Sequence, residues 1–165
     1  MLEPAVLYKS AIISEFQKRF YTENMMFEMG SLCNWIPDIL ENSDAGTYQF
    51  AIIDDSKRLI GYLSYCIDWY TSCASQFGLM SFDKGNRMIG LAVYQTIRKL
   101  IYEYKLHRIE FRMVGGNPVE RHYDKMCSHF GGTKHILKDA IKDRCGQYHD
   151  DVIYEIIRNG EENNV

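Results

Sequence analysis

Apolar and polar positions alternate most cleanly over residues 107–113, where Ile109, Phe111 and Met113 point one way and Arg108, Glu110 and Arg112 the other. A period of two predicts a half-buried strand. Gly115 and Gly116 break the pattern. Asn117 then stands at an N-cap position, Pro118 at the first helical position and Glu120 where it closes a capping box. The pattern predicts a helix over 118–130 with Tyr123 on its second turn, ended by Gly131 and Gly132. A strand that feeds a capped helix is a common ligand position in α/β proteins, because free backbone N–H groups and the helix dipole meet there.

The rest of the chain reads by the same rules. Residues 4–7 suit a short edge strand. From Ser10, Ile12, Ile13, Phe16, Phe20 and Phe27 recur at helical spacing over 10–29, with Gly30 as the stop. A second short helix is expected over 35–40, with Pro37 in its first turn. Strands are expected over 48–53 and 58–69 around the turn 54–57, then over 76–82 after a polar break at 71–75. The loop 83–87 leads into a helix to about Lys105, whose Ile89, Val93, Ile97, Leu100, Ile101 and Tyr104 face the core. Residues 133–142 and 147–157 form a last hairpin. The expected order is β-α-α-β-β-β-α-β-α-β-β, an α/β chain (an α+β mixed sheet) with one right-handed parallel crossover from 76–82 to 107–113. A ligand belongs where the C-terminal ends of those two strands feed helices. Without repeat or linker, residues 1–158 read as a single domain and 159–165 as a polar C-terminal tail.

Composition narrows the classes. The chain has 165 residues, enough for one domain that buries about two thirds of its unfolded surface. Its net charge is −3, with no basic block, which argues against a dedicated nucleic-acid binder. Five cysteines without a C-x-x-C pair fit reduced thiols better than a disulfide framework. No apolar run reaches a membrane span and no signal peptide opens the chain, so a soluble, cytoplasmic protein is expected, with no membrane partner. The histidines lack metal-site spacing, so no metal is expected, and neither a P-loop nor a nucleophile elbow occurs.

With these residues in view, the chain resembles the GNAT superfamily of acyl-CoA-dependent N-acyltransferases, in particular the branch of ribosomal-protein N-terminal acetyltransferases. The element order carries the resemblance over about residues 3–158. Local echoes are Leu-Ile-Gly-Tyr at 59–62, Leu-His-Arg at 106–108, Gly116 and Asn117 with Tyr123 beyond them, and the hairpin 143–150. The resemblance implies acetyl-CoA as co-substrate. The strand with Phe77, Leu79, Met80, Ser81 and Phe82 would pair its backbone with the pantetheine arm. Gly85, Asn86, Arg87, Met88, Ile89 and Gly90 would receive the pyrophosphate, Asn117 would bond near the pantetheine, and Tyr123 would protonate the departing thiolate. Two departures stand out. Aligned on Gly90, the family's pyrophosphate signature has glycine where this chain has Met88, and glutamine or arginine where it has Gly85. Asn117 precedes Tyr123 by six residues, whereas seven is common in the branch.

An acetyltransferase must also accept the amine's proton. The strand 76–82 has no acid, so Asp68 is the expected acceptor, acting through water, with Glu110 behind it. Trp69 and Tyr70 beside Asp68 would wall an amine pocket, since aromatic faces attract cations. Plainer roles stand beside these: Tyr123 as a boundary aromatic, Asn117 as a cap alone, Asp68 as a solvated strand-end carboxylate. The expected function is transfer of an acetyl group from acetyl-CoA to a primary amine by direct attack, the acceptor being a small-molecule amine or a peptide N-terminus. The alternative is a catalytically silent GNAT-fold binding or regulatory module. The oligomeric state, a homodimer included, stays open.

Overall fold

The computed structural model describes residues 1–19, 26–27, 36–41 and 46–158. Seven strands form one mixed sheet: β1 (Leu2–Pro4), β2 (Thr47–Ile53), β3 (Leu59–Asp68), β4 (Cys73–Ser81), β5 (Arg108–Val114), β6 (Thr133–Lys142) and β7 (Tyr148–Ile157). Their spatial order is β1-β2-β3-β4-β5-β7-β6, and every pairing is antiparallel except β4 with β5. Among the described residues the longer helices are α1 (Lys9–Arg19), α2 (Arg87–Tyr102), which makes the β4–β5 crossover, and α3 (Glu120–His129).

Alternation along the strands divides the core between the two faces of the sheet. On one face, Val93, Ile97, Leu100 and Ile101 of α2 and Cys127 of α3 pack on Tyr65, Phe111 and Tyr154. On the other, Ile12 and Phe16 of α1 pack on Ala51, Ile53, Tyr62 and Met80. Leu100 and Tyr154 are fully buried, and burial of side chains of this size contributes about 1.5–3 kcal/mol each.

Several boundaries differ from the sequence expectation. The edge strand lies at Leu2–Pro4 rather than 4–7, and Ala5–Tyr8 turn as a 3-10 helix. Pro4 has no N–H to extend the ladder, and the Met1 amino group instead donates to the Ile53 carbonyl at 2.7 Å. Residues 36–41 are not helical. Gln49 of β2 fixes them in place, accepting from Leu40 N at 2.9 Å and donating to the Asp38 carbonyl at 2.7 Å. β4 begins at Cys73, three residues before the expected start. It carries a bulge there: Gln76 takes φ 54° and the β3–β4 register slips between Ser64 and Cys66. α2 ends at Tyr102 and α3 starts at Glu120. The expected helix 10–29 is helical over 10–19 and again at 26–27, whereas its residues 20–25 and 28–29, with Phe20 among them, Trp35 and the tail 159–165 lie outside the described residues.

Candidate active site

The site is built by a parting of strands. β4 and β5 pair only at Cys73 with Arg108 and at Ala74 with Ile109. Beyond these rungs they diverge, and a cleft of about 1560 Å³ opens between them. Phe77 of β4 and Phe111 of β5 remain in ring contact at 6.2 Å on the α2 side, and Leu79, Val93 and Ile97 complete an apolar wall. Both strands run their C-terminal ends toward helix starts, so the cleft has one rim at α2 and another at α3.

At the α2 rim, Asn86 caps the helix. Its Oδ1 accepts from Met88 N at 3.0 Å and its Nδ2 donates to Asp83 Oδ2 at 3.0 Å. Gly85 takes φ +84°, and no atom lies within 4 Å of where a Cβ would stand; Gly90 is equally open. Lys84, Gly85, Asn86, Arg87, Ile89 and Gly90 line the cleft. Met88 does not; its side chain packs against the Ile52, Ile60 and Leu63 cluster. The resulting rim is open backbone at the positive end of a 16-residue helix, with two cationic side chains beside it, an arrangement suited to an anion.

At the α3 rim, Tyr123 stands edge-on to Phe111 at 5.3 Å and to Tyr154 at 5.9 Å. Burial pushes its phenol up to about 12. It lines the cleft, and its hydroxyl makes no hydrogen bond among the described residues. Asn117 is a cap of a different form from the expected one. Its Oδ1 accepts from Val119 N at 3.1 Å, and Glu120 Oε2 accepts from Gly116 N at 3.2 Å rather than from Asn117. Its Nδ2 donates to the carbonyl of Phe27, another residue that lines the cleft, at 2.7 Å.

The polar face of β5 supplies the cleft's charge. Arg108, Glu110 and Arg112 line it. Glu110 accepts from Arg108 Nη2 at 2.6 Å and from Arg112 Nε at 2.9 Å. Among the described lining residues, Glu110 and Asp38 are the carboxylates. On β3, Tyr62 accepts from Gln49 Nε2 at 3.1 Å, and burial raises its phenol above the usual range.

Phe77, Leu79, Met80, Ser81, Asn117 and Tyr123 all line this cleft. Phe82 does not line it: its ring packs against Phe16 at 5.9 Å beneath the Arg19 guanidinium, on the α1 face. Asp68, Trp69 and Tyr70 are also elsewhere. Asp68 pairs with Cys73 at the closed end of the sheet, where β4 still pairs with β5. Its Oδ1 accepts from Tyr70 N and Thr71 N, and the Thr71 hydroxyl together with those two backbone bonds holds the exposed carboxyl below its usual range. Trp69 lies tilted against Tyr104 at 5.8 Å, and Tyr70 is 97% exposed. The carboxylate is a turn cap, and the two aromatics wall nothing in the cleft. Sequence reasoning missed the pair Arg108 and Arg112 as lining residues. The polar alternation of β5 marks its face, but which face meets the cleft depends on the parting of β4 and β5.

No group of His, Cys, Asp or Glu that could hold a metal ion occurs among the described residues. No helix among them is long and apolar enough to cross a membrane.

No family model and no curated relative matches the sequence. Solved structures do match. A dodecameric spermidine N-acetyltransferase from Vibrio cholerae superposes with a TM-score of 0.59 at 20% identity, covering 73% of this chain and 70% of that one. The spermidine/spermine N-acetyltransferase SpeG of Vibrio cholerae with manganese ions gives 0.56 at 20% identity, over 69% of this chain and 66% of that one. A chimera of the Vibrio cholerae enzyme gives 0.57 at 20% identity, over 69% of each chain. None of the three is a ribosomal-protein N-terminal acetyltransferase, and the narrower likeness to that branch finds no specific support. With its seven-stranded mixed sheet and the parting of β4 from β5, the chain has the fold of the GNAT N-acyltransferases.

Proposed function

We propose that the protein is an acetyl-CoA-dependent N-acetyltransferase acting on a primary amine. The observation that carries this reading is the parting of β4 and β5 beyond Ala74 and Ile109. It takes β4 from Ser75 onward out of the β4–β5 ladder, an edge along which an extended, amide-bearing pantetheine arm can hydrogen-bond as an added strand. The edge leads from the open α2 rim to Tyr123, so one ligand can place phosphates at the first and a thioester near the second.

Acetyl-CoA would supply the acetyl group as a thioester, and the C–N bond to the amine forms as its C–S bond breaks. The chain's residues do the rest. Lys84, Arg87 and the backbone at the start of α2 hold the pyrophosphate, where Gly85 and Gly90 leave it room. Phe77, Leu79, Val93 and Ile97 keep water from the arm. Glu110, in place of Asp68, receives the amine's proton through a water. Tyr123 is protonated at neutral pH, as any phenol is, and burial pushes it further up, to about 12. It gives that proton to the departing sulfur and recovers one from solvent. Alignment of the two reactants within the cleft supplies much of the rate gain. The free thiols of Cys66, Cys73, Cys127 and Cys145 fit a reducing compartment, the cytoplasm.

The structural neighbours are spermidine acetyltransferases by name, so spermidine is the first acceptor to assay, with peptide N-termini second. The test is the thermal shift of the purified protein with acetyl-CoA, followed by CoA-thiol release over those acceptors. A ligand that binds the folded state at 100 times its Kd stabilises it by about 2.7 kcal/mol, a clear rise in Tm. No shift at millimolar acetyl-CoA refutes the reading. A shift without thiol release from any amine favours the catalytically silent binding module.

A further inference from the structure

Phe27 lines the cleft, and two side chains from distant parts of the chain hold it there. Its carbonyl accepts from Asn117 Nδ2 at 2.7 Å, across 90 residues of sequence. Its ring meets the His149 ring edge-on at 6.3 Å, and His149 is in turn fixed by Asp143, whose Oδ2 lies 3.1 Å from Nε2. The partners of Asn117 admit one orientation of its amide. Oδ1 accepts from Val119 N at 3.1 Å, and a backbone N–H can only donate. Nδ2 therefore faces Phe27, whose carbonyl can only accept. Both ends of the amide are thus engaged within the protein, one on the turn that opens α3 and the other on Phe27.

The strand faces say which half of the cleft Phe27 walls. Residues directly paired across a sheet point to the same side, so Glu155 of β7 shares the side of Glu110 on β5. His149 lies an even number of residues before Glu155 on the same strand and points to that side too. The opposite side is the one α2 covers, where Phe111 and Tyr154 pack. Phe27, against His149, therefore stands on the Glu110 side, where the amine gives up its proton. The wall that shelters the pantetheine arm, with Phe77 and Leu79, is across the cleft from it.

We infer that Asn117 is a positioning residue for the acceptor half of the cleft, its amide latching Phe27 into the wall that the amine meets. The inference rests on the acetyltransferase reading and extends it. Phe27 sets the width of the acceptor half, and Asn117 sets Phe27. Asn117 itself touches neither the acetyl group nor the amine.

The test uses Asn117→Ser, because serine caps a helix start about as well as asparagine but has no amide to reach Phe27. The full chain and the variant are compared in three ways: calorimetry with acetyl-CoA, amide hydrogen exchange of the fragment that holds Phe27, and steady-state kinetics on whichever amine releases CoA thiol. The variant should keep its Tm to within about 4 °C, keep its acetyl-CoA Kd and exchange faster around Phe27. Its acceptor KM should rise about fivefold, the worth of one neutral hydrogen bond, with a smaller change in kcat. Phe27→Ala should raise the same KM, and adding Asn117→Ser to it should raise it no further. A weaker acetyl-CoA Kd in Asn117→Ser overturns the inference, because the amide then serves the pantetheine arm. Unchanged exchange around Phe27 overturns it as well. So does an unchanged KM in Phe27→Ala, a result that stands even if Asn117→Ser fails to fold. If no amine is turned over, the acetyltransferase reading falls, and the exchange and acetyl-CoA measurements still decide whether Asn117 holds Phe27 or serves the arm.

Discussion

Replacing Tyr123 with Phe removes one oxygen and should separate catalysis from stability. The ring contacts to Phe111 at 5.3 Å and Tyr154 at 5.9 Å survive the change. The hydroxyl makes no hydrogen bond among the described residues, so no donor or acceptor is stranded. Stability at neutral pH should therefore change by less than about 1 kcal/mol. Loss of the proton donor should lower turnover by about 10²–10⁴, the usual worth of general acid catalysis. The raised phenol gives a second, independent readout. A group whose folded value is raised, here from 10.0 to about 12, contributes stability that is fully present below about pH 10. That stability is lost as pH climbs through 10 to 12, up to about 3 kcal/mol. Tyr65 and Tyr154 are also pushed up by burial, but both are present in either protein and cancel in the comparison. The assay is thiol release at neutral pH beside Tm from pH 8 to 12 for both proteins. Tyr123→Phe should lose turnover, keep its Tm at pH 8, and decline less steeply above pH 10. Unchanged turnover, or identical alkaline decline, refutes the role given to Tyr123.

Three further outcomes follow from the same geometry. Glu110→Gln should reduce turnover about 10²-fold or more at neutral pH while leaving the acetyl-CoA thermal shift intact, as expected of a proton acceptor that does not touch the cofactor arm; loss of the shift instead would make it a structural residue. Asp68→Ala should leave turnover unchanged and lower Tm slightly, since the carboxylate caps a turn through Tyr70 N and Thr71 N; a large kinetic loss would contradict its placement at the closed end. Arg87→Ala should weaken acetyl-CoA binding by about 1 kcal/mol, read by calorimetry, and reduce its salt dependence; unchanged affinity at low salt would remove Arg87 from the pyrophosphate rim.

The strands and helices were legible because side-chain period reports which face is buried. Ile109, Phe111 and Met113 are all inside, as their alternation requires, and Ile89, Val93, Ile97, Leu100 and Ile101 form the buried stripe of α2. What the sequence hid was non-local or irregular. The bulge at Gln76 resets alternation within β4, so its first three residues read as part of the preceding break. Residues 36–41 are shaped by Gln49, a partner nine or more positions away, which no local pattern records. Asp151 lay in a polar run that reads as hairpin surface; its burial arises only once β7 is inserted between β5 and β6.

Asp68 shows why topology decides function where proximity in sequence does not. It lies five residues before β4, and that nearness suggested a shared site. An antiparallel hairpin reverses the relation: the end of β3 meets the start of β4, whereas the cleft opens toward the end of β4. Any group at the β3–β4 turn is therefore separated from the cleft by the very rungs that hold β4 and β5 together. Met88 follows the same logic. Aligned as a string it replaces a glycine where phosphate should approach. Folded, its side chain turns to Ile52, Ile60 and Leu63, while the open positions are Gly85 and Gly90 on either side. Room at the α2 rim is set by which way a side chain leaves the first helical turn. The helix's own 3.6-residue period turns position 88 against the core and leaves position 90 in the open.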